Sequence, residues 1–147
     1  MAQMPIERGK IREYAVATAA ARSEYLDDPH APIPPTFLST VVFWDSVADA
    51  LGTPEAAQAC RDAGVEPDVR NLLSLEQEYV FHGPLPRAGD TVFTSSRFDR
   101  VNVKEGKSGR MAMMHYALEF RDADGTLRAE CLYTSAYVQA ASVGGTA

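Results

Sequence analysis

Ile11, Tyr14, Ala15 and Thr18 recur at helical spacing among Glu7, Arg8, Lys10, Arg12 and Glu13. This predicts an amphipathic helix of about three turns. The segment "ATAAARSEYLDD", Ala17 to Asp28, follows it and leads to "APIPPT", Ala31 to Thr36, whose three prolines hold the chain extended. Thr36 is placed to cap a second helix. There Phe37, Val41, Trp44, Ala48 and Leu51 fall at alternating steps of four and three, with Leu38, Val42, Phe43 and Val47 on the neighbouring faces. A helix that is apolar nearly all round is a buried one, and Gly52 and Pro54 end it. Pro54 to Gly64 reads as a short surface helix or loop closed by glycine.

From Leu72 the period becomes two: Leu75, Gln77, Tyr79 and Phe81 alternate with Glu76, Glu78 and Val80. "GPLPRAGD", Gly83 to Asp90, breaks this strand. Val92 to Val103 reads as the next strand, "KEGKSG" as a turn and Arg110 to Arg121 as a third strand. "DADG", Asp122 to Gly125, is a hairpin turn before a fourth strand, Thr126 to Val138. Strands of about a dozen residues suggest a strongly curved antiparallel sheet, and such a sheet can wrap a buried helix. The expected fold class is α+β, a hot-dog fold with a curved sheet around a central helix. One domain over residues 1–140 and a frayed tail over 141–147 are expected.

Composition narrows the function. Hydrophobic residues make up 46% and charged residues 23%, an ordinary globular balance. A net charge of −6 argues against a nucleic-acid or anionic-membrane partner, because Lys and Arg dominate phosphate binding. The longest aliphatic and aromatic run, Val41 to Trp44, is far short of the ~20 residues that span a bilayer, and the first ten residues lack the apolar core of a signal peptide. Cys60 and Cys131 are too far apart in sequence to form a metal motif or a disulfide framework, which fits a reducing cytoplasm. Three dispersed histidines without spaced carboxylates give no metal site. The chain has no G-x-G-x-x-G, G-x-x-x-x-G-K-[ST], H-E-x-x-H or G-x-S-x-G motif.

Five stretches together resemble the MaoC-like hydratases, and more closely the N-terminal, FAS1-like dehydratase type found in actinobacterial hydratase subunits. They are "GKIREYAVAT", "PPTF", "LEQEYVFHGPLPRAGDTV", "KEGKSGRM" and "FRDADGTLRAE", spread over Glu7 to Val138. No single motif decides it; their order and spacing do. The resemblance implies addition of water to, or its removal from, trans-2-enoyl thioesters of coenzyme A or acyl carrier protein in fatty-acid or other lipid metabolism, with no cofactor. It also implies pairing of two hot dogs into one continuous sheet, as a homodimer, a heterodimer or two domains of one chain.

Active members carry an Asp and a His, five residues apart, in the loop after the first helix, to act on the water and the α-proton. Laid on this chain, the resemblance puts Ala20 at the Asp position, Arg22 where an Asn is usual and Tyr25 at the His position. Alanine moves no proton, and a tyrosine of ordinary pKa, about 10, is a poor base at neutral pH. The expectation is therefore a subunit without catalytic residues of its own, shaping the acyl pocket of an (R)-specific hydratase while a MaoC-like partner supplies the dyad. The alternatives are a homodimeric hydratase or thioesterase using Glu24, Asp27 or Asp28, and a non-enzymatic acyl-CoA binding module.

Tyr25 either bonds substrate or packs as a loop tyrosine, and the three acids either replace the lost dyad or are solvated. Thr36 and Phe37 open the second helix, whose unpaired N–H groups would face the thioester carbonyl; plain capping is the other reading. Arg110 would meet a coenzyme A phosphate, or be a solvated turn arginine. Met111, Met113 and Met114 line an acyl tunnel or are core. His82 matches a structural "H-x-P" turn of the family and His115 a satisfied sheet histidine. The acyl group, whether fatty, steroid side chain or polyketide, stays open.

Overall fold

Five strands form one antiparallel sheet in the order β1-β3-β4-β5-β2. They are β1 (Ala2–Pro5), β2 (Leu72–Phe81), β3 (Thr91–Gly106), β4 (Gly109–Arg121) and β5 (Leu127–Ala140) in a computed structural model that describes residues 2–107 and 109–140, the last by its backbone alone. The expected tail, residues 141–147, and Ser108 of the turn before β4 lie outside the described residues.

The period-two segments fold as their pattern predicts. On β4, Ala112, Met114, Tyr116, Leu118 and Phe120 are buried; on β5, Ala129, Cys131, Tyr133, Ser135 and Tyr137 are. These residues share one face of each strand, and Ala117 on β4 and Thr134 and Ala136 on β5 are buried on the other face as well. The β4–β5 turn closes through hydrogen bonds from Gly125 N to Asp122 O and from Asp122 N to Thr126 O, both 2.9 Å, with Gly125 at φ +87° where a side chain would strain.

The described residues divide into two compact units. The first holds the chain up to Val47 with Tyr79–Ser95 and Leu118–Cys131. In it the sequence pattern missed β1, which pairs with β3 in antiparallel register, Met4 opposite Val92, and buries Met4. Helix α1 (Arg8–Ala17) buries Ile11 and Ala15, one turn apart. The proline-rich loop is extended, as expected. Pro32 bridges Arg87, and Ile33 N donates to Pro86 O at 3.0 Å. In "RAGD", Gly89 takes φ +98° and the Asp90 carboxylate accepts from Arg87 N at 2.8 Å, so the motif is a turn that seats this loop.

The second predicted helix is corrected. Residues Phe37–Phe43 and Asp49–Gly52 form two short 3-10 segments, with no α-helix over 36–51. Phe37, Leu38 and Val41 are buried, but Val42 is 56% and Phe43 80% exposed. Three β-branched residues in a row, Thr40 to Val42, disfavour an α-helix. The Thr40 hydroxyl also donates to Phe37 O at 2.8 Å, competing for a helical acceptor. Asp45 then stops the segment. Its carboxylate accepts from Ser46 N at 2.9 Å and from the fully buried Thr94 hydroxyl.

The second unit holds Ala48–Glu78, Ser96–Ala117 and the chain from Leu132. Helix α3 (Pro54–Asp62) is the expected short helix. Thr53 caps it by accepting from Ala56 N, Pro54 takes its first turn, and Gly64 at φ +75° lies just past its end. Tyr116 and Tyr133 stack at 5.1 Å, and Tyr116 shares a hydrogen bond of 3.1 Å with Ser135.

Candidate active site

Helix α1 ends in a complete Schellman motif. Ala20 N donates to Ala15 O at 2.8 Å and Ala19 N to Val16 O at 3.2 Å, with Ala19 left-handed at φ +56°. Glycine is usual there, because a Cβ in that conformation costs about 1–2 kcal/mol. The alanine run thus carries shape: it turns the chain sharply and sets Ala20 three residues before the next helical turn, which begins at Ser23. Ala19→Gly should raise stability by about 0.5–1 kcal/mol, the relief less the added freedom of the unfolded chain. A urea unfolding midpoint that stays put or falls would contradict the strained conformation.

A single helical turn, α2 (Ser23–Leu26), follows and was not foreseen. It turns Tyr25 inward to 8% exposure. Ala20, Arg22 and Tyr25 come together with Ala19, Ala21 and Pro35 around an open depression of about 420 Å³. Burial pushes the Tyr25 phenol above its ordinary pKa, and the Glu24 carboxylate pushes it further the same way. The phenol is held protonated, with the Glu24 carboxylate beside it as a hydrogen-bond acceptor. The acids Glu24, Asp27 and Asp28 are absent from this lining. Glu24 pairs with Arg22 at 3.5 Å, and Asp28 accepts from His30 N at 2.8 Å in a local turn.

Thr36 and Phe37 are not an open helix end. The segment they begin is one 3-10 stretch, and Phe37 N is already bonded to Pro34 O at 2.9 Å. Thr36 caps nothing through its side chain. Its hydroxyl and carbonyl oxygens lie 2.9 and 3.0 Å from the Tyr14 hydroxyl. Phe37 is 1% exposed and edge-on to Tyr14 at 5.5 Å, a core position. Arg110 lies in the other unit, on β4. It donates to Glu105 and reaches Ala63 O at 3.3 Å, lying so close over Gly64 that a Cβ there would come within 2.4 Å of it. It fastens the end of α3 to the β3–β4 hairpin.

A family model for the FAS1-like, dehydratase domain region matches residues 2–130. The chain belongs to this family. The ChsH1-ChsH2 complex from Mycobacterium tuberculosis is similar at TM-score 0.67 and 19% identity, over 95% of this chain and 86% of that one. The HadBC (3R-hydroxyacyl-ACP dehydratase) complex of the same organism matches at 0.57 and 18%, over 91% and 89%. A MaoC-like dehydratase from Phytophthora capsici matches at 0.64 and 17%, over 92% of this chain but 44% of that one. At these identities the likeness shows the fold, which is the hot dog. No curated protein matches the sequence.

The FAS1-like dehydratase chain holds a second polar cluster that its sequence did not announce. An outer groove of about 220 Å³ in the second unit has His115 on its wall. The imidazole meets Asn102 Nδ2 at 3.2 Å and Thr134 Oγ1 at 3.3 Å, and that hydroxyl lies 3.4 Å from Glu76. One assignment satisfies all three: Asn102 donates to Nε2, Nδ1–H donates to Thr134, and Thr134 donates to Glu76. Burial lowers the His115 pKa, and nearby Arg100 lowers it further, which keeps this neutral form. His115 is thus a satisfied sheet histidine. His82 Nε2 sits 2.8 Å from a Glu130 carboxylate oxygen, a hydrogen bond beside its turn. Met114 is core, while Met111 and Met113 are half-buried. Among the described residues no three His, Cys, Asp or Glu side chains are grouped to hold a metal ion, and no helix is long and apolar enough to cross a membrane.

Proposed function

We propose that this chain is the pocket-shaping subunit of an (R)-specific enoyl-thioester hydratase/dehydratase, acting on coenzyme A or acyl-carrier-protein thioesters without a further cofactor. The observation that carries this reading is the depression around Ala20 and Tyr25. Hydration across the C2–C3 double bond needs one group to take a proton from water and one to deliver a proton to the α-carbon. At the positions where the family resemblance puts Asp and His, this chain has a methyl group and a phenol held neutral. The phenol can orient a bound thioester by hydrogen bonding, but it cannot activate water. A MaoC-like partner supplies the dyad.

Two kinds of support stand behind a partner. The ChsH1-ChsH2 and HadBC structures are complexes of unlike subunits. In this chain β2 lies at the sheet edge, exposed over most of its ten residues, with Leu73 and Leu75 about half exposed. A long open edge strand is a template for pairing with another strand. We place the subunit in the cytoplasm, where the buried side chains of Cys60 and Cys131 would be kept reduced. The test is loss of the enoyl absorbance of a short and a medium trans-2-enoyl-CoA. The purified chain alone should give no turnover, and the chain co-expressed with a dyad-bearing MaoC-like protein should give it. Turnover by the chain alone would sink the subunit reading, as would a homodimer that ignores every such partner.

A further inference from the structure

The open edge of the sheet carries a charge pattern. Strand β2 leaves six successive residues exposed, Leu73 to Glu78, and their side chains alternate between two faces. The Thr134 hydroxyl, buried on the outer face of β5, lies 3.4 Å from Glu76, which puts Glu76 and Glu78 on the outer face of β2. Leu73 and Leu75 stand on the core face, yet each is about half exposed, so this chain alone does not cover them. Both glutamates line the outer groove beside His115. The arginines of that groove, Arg97 and Arg100, start from β3, with β4 and β5 between them and the edge, and Arg100 pairs with Asp99 at 2.5 Å.

We infer that β2 is built against pairing with its own copy and takes instead the edge strand of an unlike subunit that carries Lys or Arg opposite Glu76 and Glu78. Antiparallel pairing of β2 with a second β2 about a two-fold axis normal to the sheet keeps the faces, so outer residues meet outer residues. The two registers that use most of the strand are centred on Glu76 and on Gln77. The first sets Glu76 opposite Glu76. The second sets Glu76 opposite Glu78 twice. Like charges directly opposite one another destabilise a strand pair, and opposite charges stabilise it. Charged side chains on an open edge are a common device against self-association. The net charge of −6 adds repulsion between copies before they touch. Leu73 and Leu75 supply the apolar contact that a partner strand would cover. The inference rests on the subunit reading for the hot-dog partner and adds the chemistry of that partner's edge.

Pairing is measured by sedimentation equilibrium of the full chain, of Glu76→Gln/Glu78→Gln and of Glu76→Lys/Glu78→Lys, with circular dichroism to show that each folds. The glutamine variant keeps an acceptor for the Thr134 hydroxyl. It should self-associate roughly tenfold more tightly than the parent chain. Parent and lysine variant mixed one to one should form a mixed dimer with a Kd roughly tenfold below that of either alone, and added salt should weaken it. A parent that self-associates as tightly as the glutamine variant would overturn the inference. So would a mixture no tighter than its parts, or no pairing in any combination. If a dyad-bearing partner activates the chain while neither charge change alters pairing, the inference falls and the subunit reading stands. Turnover by the parent alone, with the pairing preference as expected, would sink that reading and leave the charge selection in place.

Discussion

The double variant Ala20→Asp, Tyr25→His should hydrate a trans-2-enoyl-CoA at least ~10² times faster than the parent chain, since each well-placed acid–base group contributes ~10²–10⁴. Both positions line one depression, so the new carboxylate and imidazole would face the same space. Burial at position 25 favours a neutral imidazole, whereas the neighbouring Glu24 carboxylate and the new aspartate favour its protonated form. Each single variant should gain far less, because one proton must leave water while another reaches carbon. Replacing Asp27 or Asp28 by its amide in the double variant should change the rate by less than about twofold, because neither lines the site. Circular dichroism separates failure to fold from failure to act. A folded double variant no faster than the parent would mean that Ala20 and Tyr25 do not stand where the family keeps its dyad. A large loss on removing one of the acids would favour the homodimeric enzyme.

What could be read from the sequence was what repeats locally. Leu75 to Phe81 and the start of Thr126 to Val138 alternate, and turn residues bound Arg110 to Arg121, so β2, β4 and β5 fall where the pattern put them. Strand β1 is four residues long and exists through its pairing with Thr91–Thr94, some ninety residues away, which no local pattern encodes. The helix over 36–51 failed because two signals conflicted. The apolar spacing was helical, but Thr40 to Val42 are β-branched and Asp45 bonds its own neighbour and Thr94, and the local chemistry prevailed. That conflict also leaves Val42 and Phe43 exposed, which a buried helix would have hidden. The site was legible through motif order alone: Ala20 and Tyr25 gain meaning from "GKIREYAVAT" upstream. Their shared depression, and the turn that buries Tyr25, needed coordinates. For Arg110 and Thr36 the sequence hides partners distant along the chain, Ala63 for the one and Tyr14 for the other.

Phe37→Ala should cost about 3–5 kcal/mol, the range for deleting a fully buried phenylalanine ring. The ring is 1% exposed and meets Tyr14 edge-on, and Tyr14 in turn holds Thr36. Its removal leaves a cavity in the first unit and frees the tyrosine that anchors the start of the 3-10 segment to α1. Against a total stability of about 5–15 kcal/mol this is a large fraction. Tm should fall by roughly 6–20 °C at about 2–4 °C per kcal/mol for a chain of this size. Phe37→Leu, which keeps most of the volume, should cost about 1–2 kcal/mol. In the reconstituted complex, kept well below the lowered Tm, KM for the enoyl thioester should stay within about twofold, because the side chain is core and touches no open surface. A loss of under about 1 kcal/mol in urea unfolding, joined to a large rise in KM, would restore Phe37 to the substrate wall and overturn its assignment as the ring on which the 3-10 segment and α1 are packed.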